Sequence, residues 1–162
     1  MSAIVYLKVE ATVYAMVCLH AILKFFSVAS SELCHRHSCD TVVDVDWHGL
    51  AELYSGRHIT AIFQPHLYTR TRDFYRDFAD ALSQLDEVIL TEIYPAREQP
   101  IEGVTSQLIY DNLRPGMEKS IIRKDDVLDL VSKRDFDVLV ILGAGDLDNY
   151  MPQITKIIEN KK

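Results

Sequence analysis

The sequence predicts an α/β fold over residues 50–162, a mostly parallel sheet with flanking helices, preceded by an atypical N-terminal segment over residues 1–49. Three observations carry this. From about Leu50 onward, short β-branched apolar runs alternate with stretches of helical period. The run Asp137–Leu142 is almost continuously apolar, as in a strand covered on both faces. Strand followed by helix, four times over, implies right-handed crossovers onto one sheet.

Taken in order, His58–Phe63 reads as a buried strand entered through the turn pair Ser55-Gly56 and stopped by Pro65. Between Arg72 and Leu85 the residues Phe74, Phe78, Ala81, Leu82 and Leu85 recur on one helical face. Val88–Tyr94 is a second strand, closed by Pro95. A loop with Pro100 and Gly103 leads to Thr105, a suitable cap for a short helix through Tyr110 and Leu113. After the Arg114-Pro115-Gly116 turn come a short strand at Ser120–Ile122 and a helix over Asp125–Lys133. The strand Asp137–Leu142 ends at Gly143-Ala144-Gly145, and a last helix runs from about Leu147 to Asn160.

The first fifty residues follow no such pattern. Apolar blocks there lack a clear period, and Val13–Ala29, interrupted by His20 and Lys24, is too short to span a bilayer. Lys8 followed by Glu10 does not make the basic start of a signal peptide. A packed helix is the expectation. The three cysteines, Cys18, Cys34 and Cys39, are an odd set confined to this segment, which suits a reduced, cytoplasmic setting. Cys34, His35, His37 and Cys39 are too crowded for a structural zinc site, so no metal is expected. With 48% apolar and 25% charged residues and a net charge of −7, the 162-residue chain has globular composition. It carries no basic run to suit a nucleic-acid or membrane partner.

Ligands of open α/β sheets bind beyond the carboxyl ends of the strands. Three loops leave strands there. Gln64–Arg72 offers His66, Tyr68, two hydroxyls, Arg70 and Arg72 between a strand end and a helix start. A guanidinium fork there suits a carboxylate or phosphate, and the helix start attracts an anion. The same arginines are equally suited to pairing with Asp73 or Asp77 while Tyr68 packs. Tyr94–Gly103, stiffened by Pro95 and Pro100, presents Arg97 and Glu98 or serves as a rigid connector. Gly143 and Gly145 allow close backbone approach, but the run lacks the third glycine of a dinucleotide fingerprint.

Three runs, Ile62-Phe63-Gln64-Pro65-His66-Leu67-Tyr68-Thr69-Arg70-Thr71-Arg72-Asp73, Tyr94-Pro95-Ala96-Arg97-Glu98-Gln99-Pro100-Ile101 and Leu142-Gly143-Ala144-Gly145-Asp146, stand together in this order and spacing. They resemble the C-terminal domain of the muramate–alanine ligases of the Mur ligase family, over about two-thirds of the chain. The resemblance implies a Rossmann-like domain that holds an amino acid, in enzymes that join L-alanine to UDP-N-acetylmuramate in peptidoglycan synthesis. It implies ATP and Mg2+ as cofactors of the full-length family, none of them bound by this chain alone. It places His66 and Arg70 on the amino-acid side, with Arg70 on the alanine carboxylate. Many relatives carry a second Arg where this chain has Leu67, which implies a one-Arg clamp or a substitute such as Arg72.

The departures from the family are as informative. No G-x-x-x-x-G-K-[ST] is present, nor the family's Asp-Tyr-Ala/Gly-His-His-Pro segment, nor a UDP-binding domain. Residues up to about Asp46 therefore read as foreign to the family, as from a shifted frame or a broken gene. The expectation is a domain that holds L-alanine or UDP-MurNAc-L-alanine weakly, without turnover alone, and whose partners are the missing ligase domains. The alternative is a non-catalytic binding or regulatory module that kept the fold and gained an N-terminal docking segment.

Overall fold

A computed structural model of the chain describes residues 3–8, of which only the backbone is considered, and residues 54–143 and 145–161. Its centre is a five-stranded sheet: β1 (Ala3–Lys8), β2 (Ile59–Gln64), β3 (Glu87–Leu90), β4 (Glu118–Ile121) and β5 (Val138–Gly143). The spatial order is β1-β5-β2-β3-β4, and every pairing is parallel. The connecting helices are α1 (Tyr68–Leu82), α2 (Gln107–Asn112), α3 (Val127–Lys133) and α4 (Met151–Asn160). Single 3-10 turns, Lys124–Asp126 and Leu147–Tyr150, lead into the last two.

Alternation along the strands divides the core. Val138, Val140 and Leu142 of β5 join Ile59, Ala61 and Phe63 of β2 against Phe78, Ala79 and Leu82 of α1 and Ile109 of α2. Leu139 and Ile141 face the other way, with Ile62 and Ile89, toward Val127 and Val131 of α3 and Ile154 and Ile158 of α4. Covered on both faces, β5 has no solvent-facing position to encode, which is why it reads as one apolar run. Each fully buried Ile or Leu of these strands contributes about 1.5–3 kcal/mol of transfer free energy. β4 sits at the edge and carries Glu118 and Lys119, charges that blunt an open strand.

The α/β expectation holds, with differences in detail. The first helix begins at Tyr68 rather than Arg72 and stops at Leu82. Leu85 still reaches the core, from the turn beyond it. β3 ends at Leu90, not Tyr94. The chain nonetheless stays beside the extension of β2, with the Thr91 amide donating to the Phe63 carbonyl (3.0 Å) and the Tyr94 amide to that of Pro65 (2.8 Å). β4 starts two residues earlier than its apolar pair suggested.

The largest difference is β1. Ala3–Lys8 pairs with β5 in continuous register from Ala3 opposite Val138 to Lys8 opposite Gly143, so the N-terminal segment contributes a strand where no element was expected. The expected helix at Val13–Ala29, the Cys34–Cys39 cluster and Cys18 lie outside the described residues. Among those described, no helix is long and apolar enough to cross a membrane.

Candidate functional site

All strands being parallel, their carboxyl ends share one edge, and the three informative loops converge there. Pro65 ends β2, and an isolated bridge joins His66 to Tyr94. The Leu67 amide donates to the Tyr94 carbonyl at 2.9 Å. The His66 ring is buried and stacks on that of Tyr94, with centroids 5.6 Å apart and planes 18° from parallel. Burial first, and then the Arg70 cation, lower the imidazole's pKa, while Glu98 opposes them, so His66 stays neutral at neutral pH.

Leu67 has φ of 69°, a conformation costly for a residue with a Cβ, and its carbonyl accepts from both the amide and the hydroxyl of Thr71. Such strain persists where the surroundings over-determine the backbone. They do so here through Glu98. One of its carboxylate oxygens accepts the Thr69 amide at 3.0 Å and the other accepts the Thr69 hydroxyl. Burial works to raise the Glu98 pKa, but the Thr69 hydroxyl and amide, the Tyr68 amide and the nearby His66 bring it below the ordinary value. The amino end of α1, suited by its dipole to an anion, thus already holds one from within the chain. The Glu98 loop is itself tight: the Glu98 amide donates to the Pro95 carbonyl (2.9 Å), and Ala96 has φ of 51°.

The β5 loop closes the group. Buried Gln64 receives the Leu147 amide on Oε1 (3.2 Å) and donates through Nε2 to Asp146 (3.0 Å). Asp146 is also paired with Lys124, from the loop after β4. Burial would raise its pKa, but Lys124 and Gln64 together lower it. A Cβ at Gly145 would lie 2.5 Å from Gln64 Oε1 and 2.6 Å from Tyr94 Cγ. The glycine is needed for internal packing, and on that side no room is left for a phosphate. Asp146 begins the turn that follows, so a carboxylate stands where a phosphate cradle needs amides. These residues do not fit a nucleotide phosphate.

Of the residues singled out from sequence, His66, Arg70, Tyr68, Glu98, Gly143 and Gly145 lie on this edge. Arg70 and Tyr68 are half-buried in the first turn of α1, and Arg97 is exposed beside Glu98. Arg72 is paired with Asp73, Nε to Oδ1 at 2.7 Å, and stands two positions from Arg70, hence on a different side of the helix. Sequence reasoning missed Gln64, Tyr94, Asp146 and Lys124 as fasteners. A glutamine between a buried strand and a proline was a readable signal for Gln64; nothing local marks Lys124.

The opposite edge holds a different cluster. Among the described residues, only His58, Glu87 and Glu118 bring metal-type ligand atoms together, within 4.8 Å of one another. Glu87 is buried, and its oxygens receive Arg134 bidentately at 2.6 Å each and the Thr60 hydroxyl at 2.9 Å. Burial opposes ionisation of Glu87, but these bonds and the nearby His58 hold its pKa below the ordinary value. Glu87, its buried member, is thus satisfied within the chain by Arg134 and Thr60.

UDP-N-acetylmuramate–L-alanine ligase from Phocaeicola vulgatus is 67% identical over 109 residues, covering 67% of this chain and 24% of that protein. The like-named ligase from Porphyromonas gingivalis strain W83 is 50% identical over 118 residues, covering 72% of this chain and 26% of the relative. The crystal structure of UDP-N-acetylmuramate-alanine ligase from Thermotoga maritima superposes with a TM-score of 0.50 at 26% identity, covering 72% of this chain and 24% of that one.

The chain contains a Mur ligase C-terminal domain. It spans about a quarter of the length of the curated relatives it matches. No protein-family profile matches the chain. Within the Mur ligase domain, the loops that carried the resemblance in sequence are those the fold brings to one edge, fastened to one another by His66–Tyr94, Thr69–Glu98 and Gln64–Asp146.

Proposed function

We propose that this Mur ligase domain holds the incoming amino acid, L-alanine, for an ATP-dependent ligation to UDP-N-acetylmuramate in which the nucleotide and UDP-sugar sites belong to other domains. The observation that carries the reading is Arg70 at the carboxyl edge, one residue beyond the Thr69–Glu98 fastening and close enough to His66 to lower its pKa. A half-buried guanidinium in a fixed turn is suited to grip the amino acid's carboxylate. His66 beside it, its pKa lowered by burial and by Arg70, is of a type suited to take a proton from an amine that must be neutral to attack. Arg72, spent on Asp73 and facing elsewhere, leaves a clamp built on one arginine. The chain alone holds L-alanine or UDP-MurNAc-L-alanine weakly and turns nothing over.

Two measurements test this. L-alanine added to the full chain should shift the amide resonance of Arg70, and Arg70→Lys should weaken binding at least about tenfold, since an ammonium cannot reproduce the fork. Adding the Phocaeicola vulgatus ligase lacking its own C-terminal quarter should restore ATP-dependent ligation. ATP-dependent ligation by the chain alone overturns the reading.

A second reading has the pairing of β1 with β5 in its favour: a binding or regulatory module that has built an N-terminal strand into the domain. Failure to complement the truncated ligase, with L-alanine binding intact, would favour it.

A further inference from the structure

We propose that Glu98 is a positioning residue for amino-acid capture: its carboxylate, fixed on the Thr69 amide and hydroxyl, sets the first turn of α1 so that Arg70 is held for the substrate carboxylate. This rests on the amino-acid reading above and assigns a role to the second loop.

The backbone at the start of α1 is unfavourable by itself. α1 has no side-chain cap of its own, and the residue in the cap position is Leu67, at a φ that disfavours any side chain. A helix starting on such a residue needs its amides satisfied from elsewhere. Glu98 does so from another loop, one oxygen accepting the Thr69 amide and the other the Thr69 hydroxyl. The loop that delivers it is short and stiff, closed by the Glu98–Pro95 turn bond and lashed to the His66 segment by the Leu67–Tyr94 and Tyr94–Pro65 hydrogen bonds.

Two consequences follow for a ligand. The Thr69 amide at the start of α1, otherwise an obvious seat for a carboxylate, is occupied by Glu98, so an incoming carboxylate is directed to the Arg70 side chain. Arg70 is also the residue directly after Thr69, so the fastening fixes the backbone that carries the guanidinium. His66 lies within electrostatic reach of both partners, the cation lowering and the anion raising its pKa, and therefore reports on Glu98 independently of any ligand.

The experiment uses the full chain, with Glu98→Gln to remove the charge while keeping the reach, and Thr69→Val to remove the hydroxyl while keeping the charge. L-alanine affinity is read from the Arg70 amide, and the His66 ring is titrated by NMR. Glu98→Gln should weaken L-alanine binding about tenfold, move the Thr69 amide resonance and shift the His66 midpoint to lower pH. Thr69→Val should also weaken binding but leave the His66 midpoint near the wild type. Wild-type affinity together with an unmoved His66 midpoint in Glu98→Gln overturns the proposal. If wild-type chain shows no response to L-alanine, the amino-acid reading fails by itself. The positioning of the loop is then judged on the Thr69 amide and His66 midpoint, and unchanged values overturn it. Should Glu98→Gln fail to fold, Thr69→Val decides, and unaltered L-alanine affinity in that variant overturns the proposal.

Discussion

At the scale of single residues, the two edges of the sheet put carboxylates to opposite uses. Glu98 and Asp146 hold loops in place, whereas Glu87 is buried at the start of β3 and depends on Arg134 for its charge. Removing that partner leaves a buried anion with only the Thr60 hydroxyl and His58 to favour its charge. Breaking a buried pair costs about 3–5 kcal/mol; because the Arg134 side chain is 38% exposed, we expect Arg134→Met to lose about 2–3 kcal/mol in urea unfolding. The pH dependence carries the sharper sign. With Arg134 present, the folded Glu87 pKa lies below its unfolded value, so its contribution is complete above the ordinary glutamate range and disappears as pH falls through the depressed value. In the variant the Thr60 hydroxyl and His58 still oppose burial but the Arg134 bonds are gone, so the folded pKa rises relative to wild type and less stability is lost on acidification. Unfolding free energies of wild type and variant across that range should therefore converge. Parallel curves would show that Glu87 does not rely on Arg134.

At the scale of elements, what was legible in the sequence depended on whether an element's cause was local. β5 could be read because burial on both faces leaves one uninterrupted apolar run. The face of α1 could be read from Phe78 and Leu82, but not its start, because the group that satisfies Thr69 is 29 residues further along the chain. β4, an edge strand of sequence Glu-Lys-Ser-Ile, offers an apolar signal only at its end. The site divides similarly. His66, Arg70 and the glycines were visible by type, whereas the bonds joining Gln64 to Asp146 and Leu147 exist only once β2 and β5 are neighbours. The two glycines should then respond differently to a methyl group. A Cβ at Gly145 meets Gln64 and Tyr94 at 2.5–2.7 Å, whereas one at Gly143 finds its nearest neighbour at 3.3 Å. Gly145→Ala should lose about 1–3 kcal/mol and displace Tyr94 from the His66 ring, with Gly143→Ala losing less. Thermal melts and the His66 ring resonances check both. Equal losses would mean that the Tyr94 packing is readily adjusted.

At the scale of the whole molecule, β1 matters most, because no local pattern announced it. Its residues pair with a strand at the far end of the chain, and the apolar blocks around it conceal the run Ala-Ile-Val-Tyr-Leu-Lys. Deleting residues 1–8 should open the edge of β5, a buried, wholly apolar strand, to pairing with another molecule. We expect the deleted chain to self-associate in a concentration-dependent way by light scattering and to melt at lower temperature. A monomer with unchanged melting would make the strand dispensable.

The position of β5 between β1 and β2 has a consequence for synthesis on the ribosome. Among the described strands, β1 is translated before the others and β5 after them, yet the two are hydrogen-bonded neighbours, and β2 waits for the same strand on its other side. A nascent chain arrested before Val138 carries β2, β3 and β4 in pairing order but leaves β1 with no place in the sheet. Completion of the sheet is therefore an insertion between two waiting strands rather than an addition at an edge, and the open slot exposes unpaired strand to chaperones until β5 emerges.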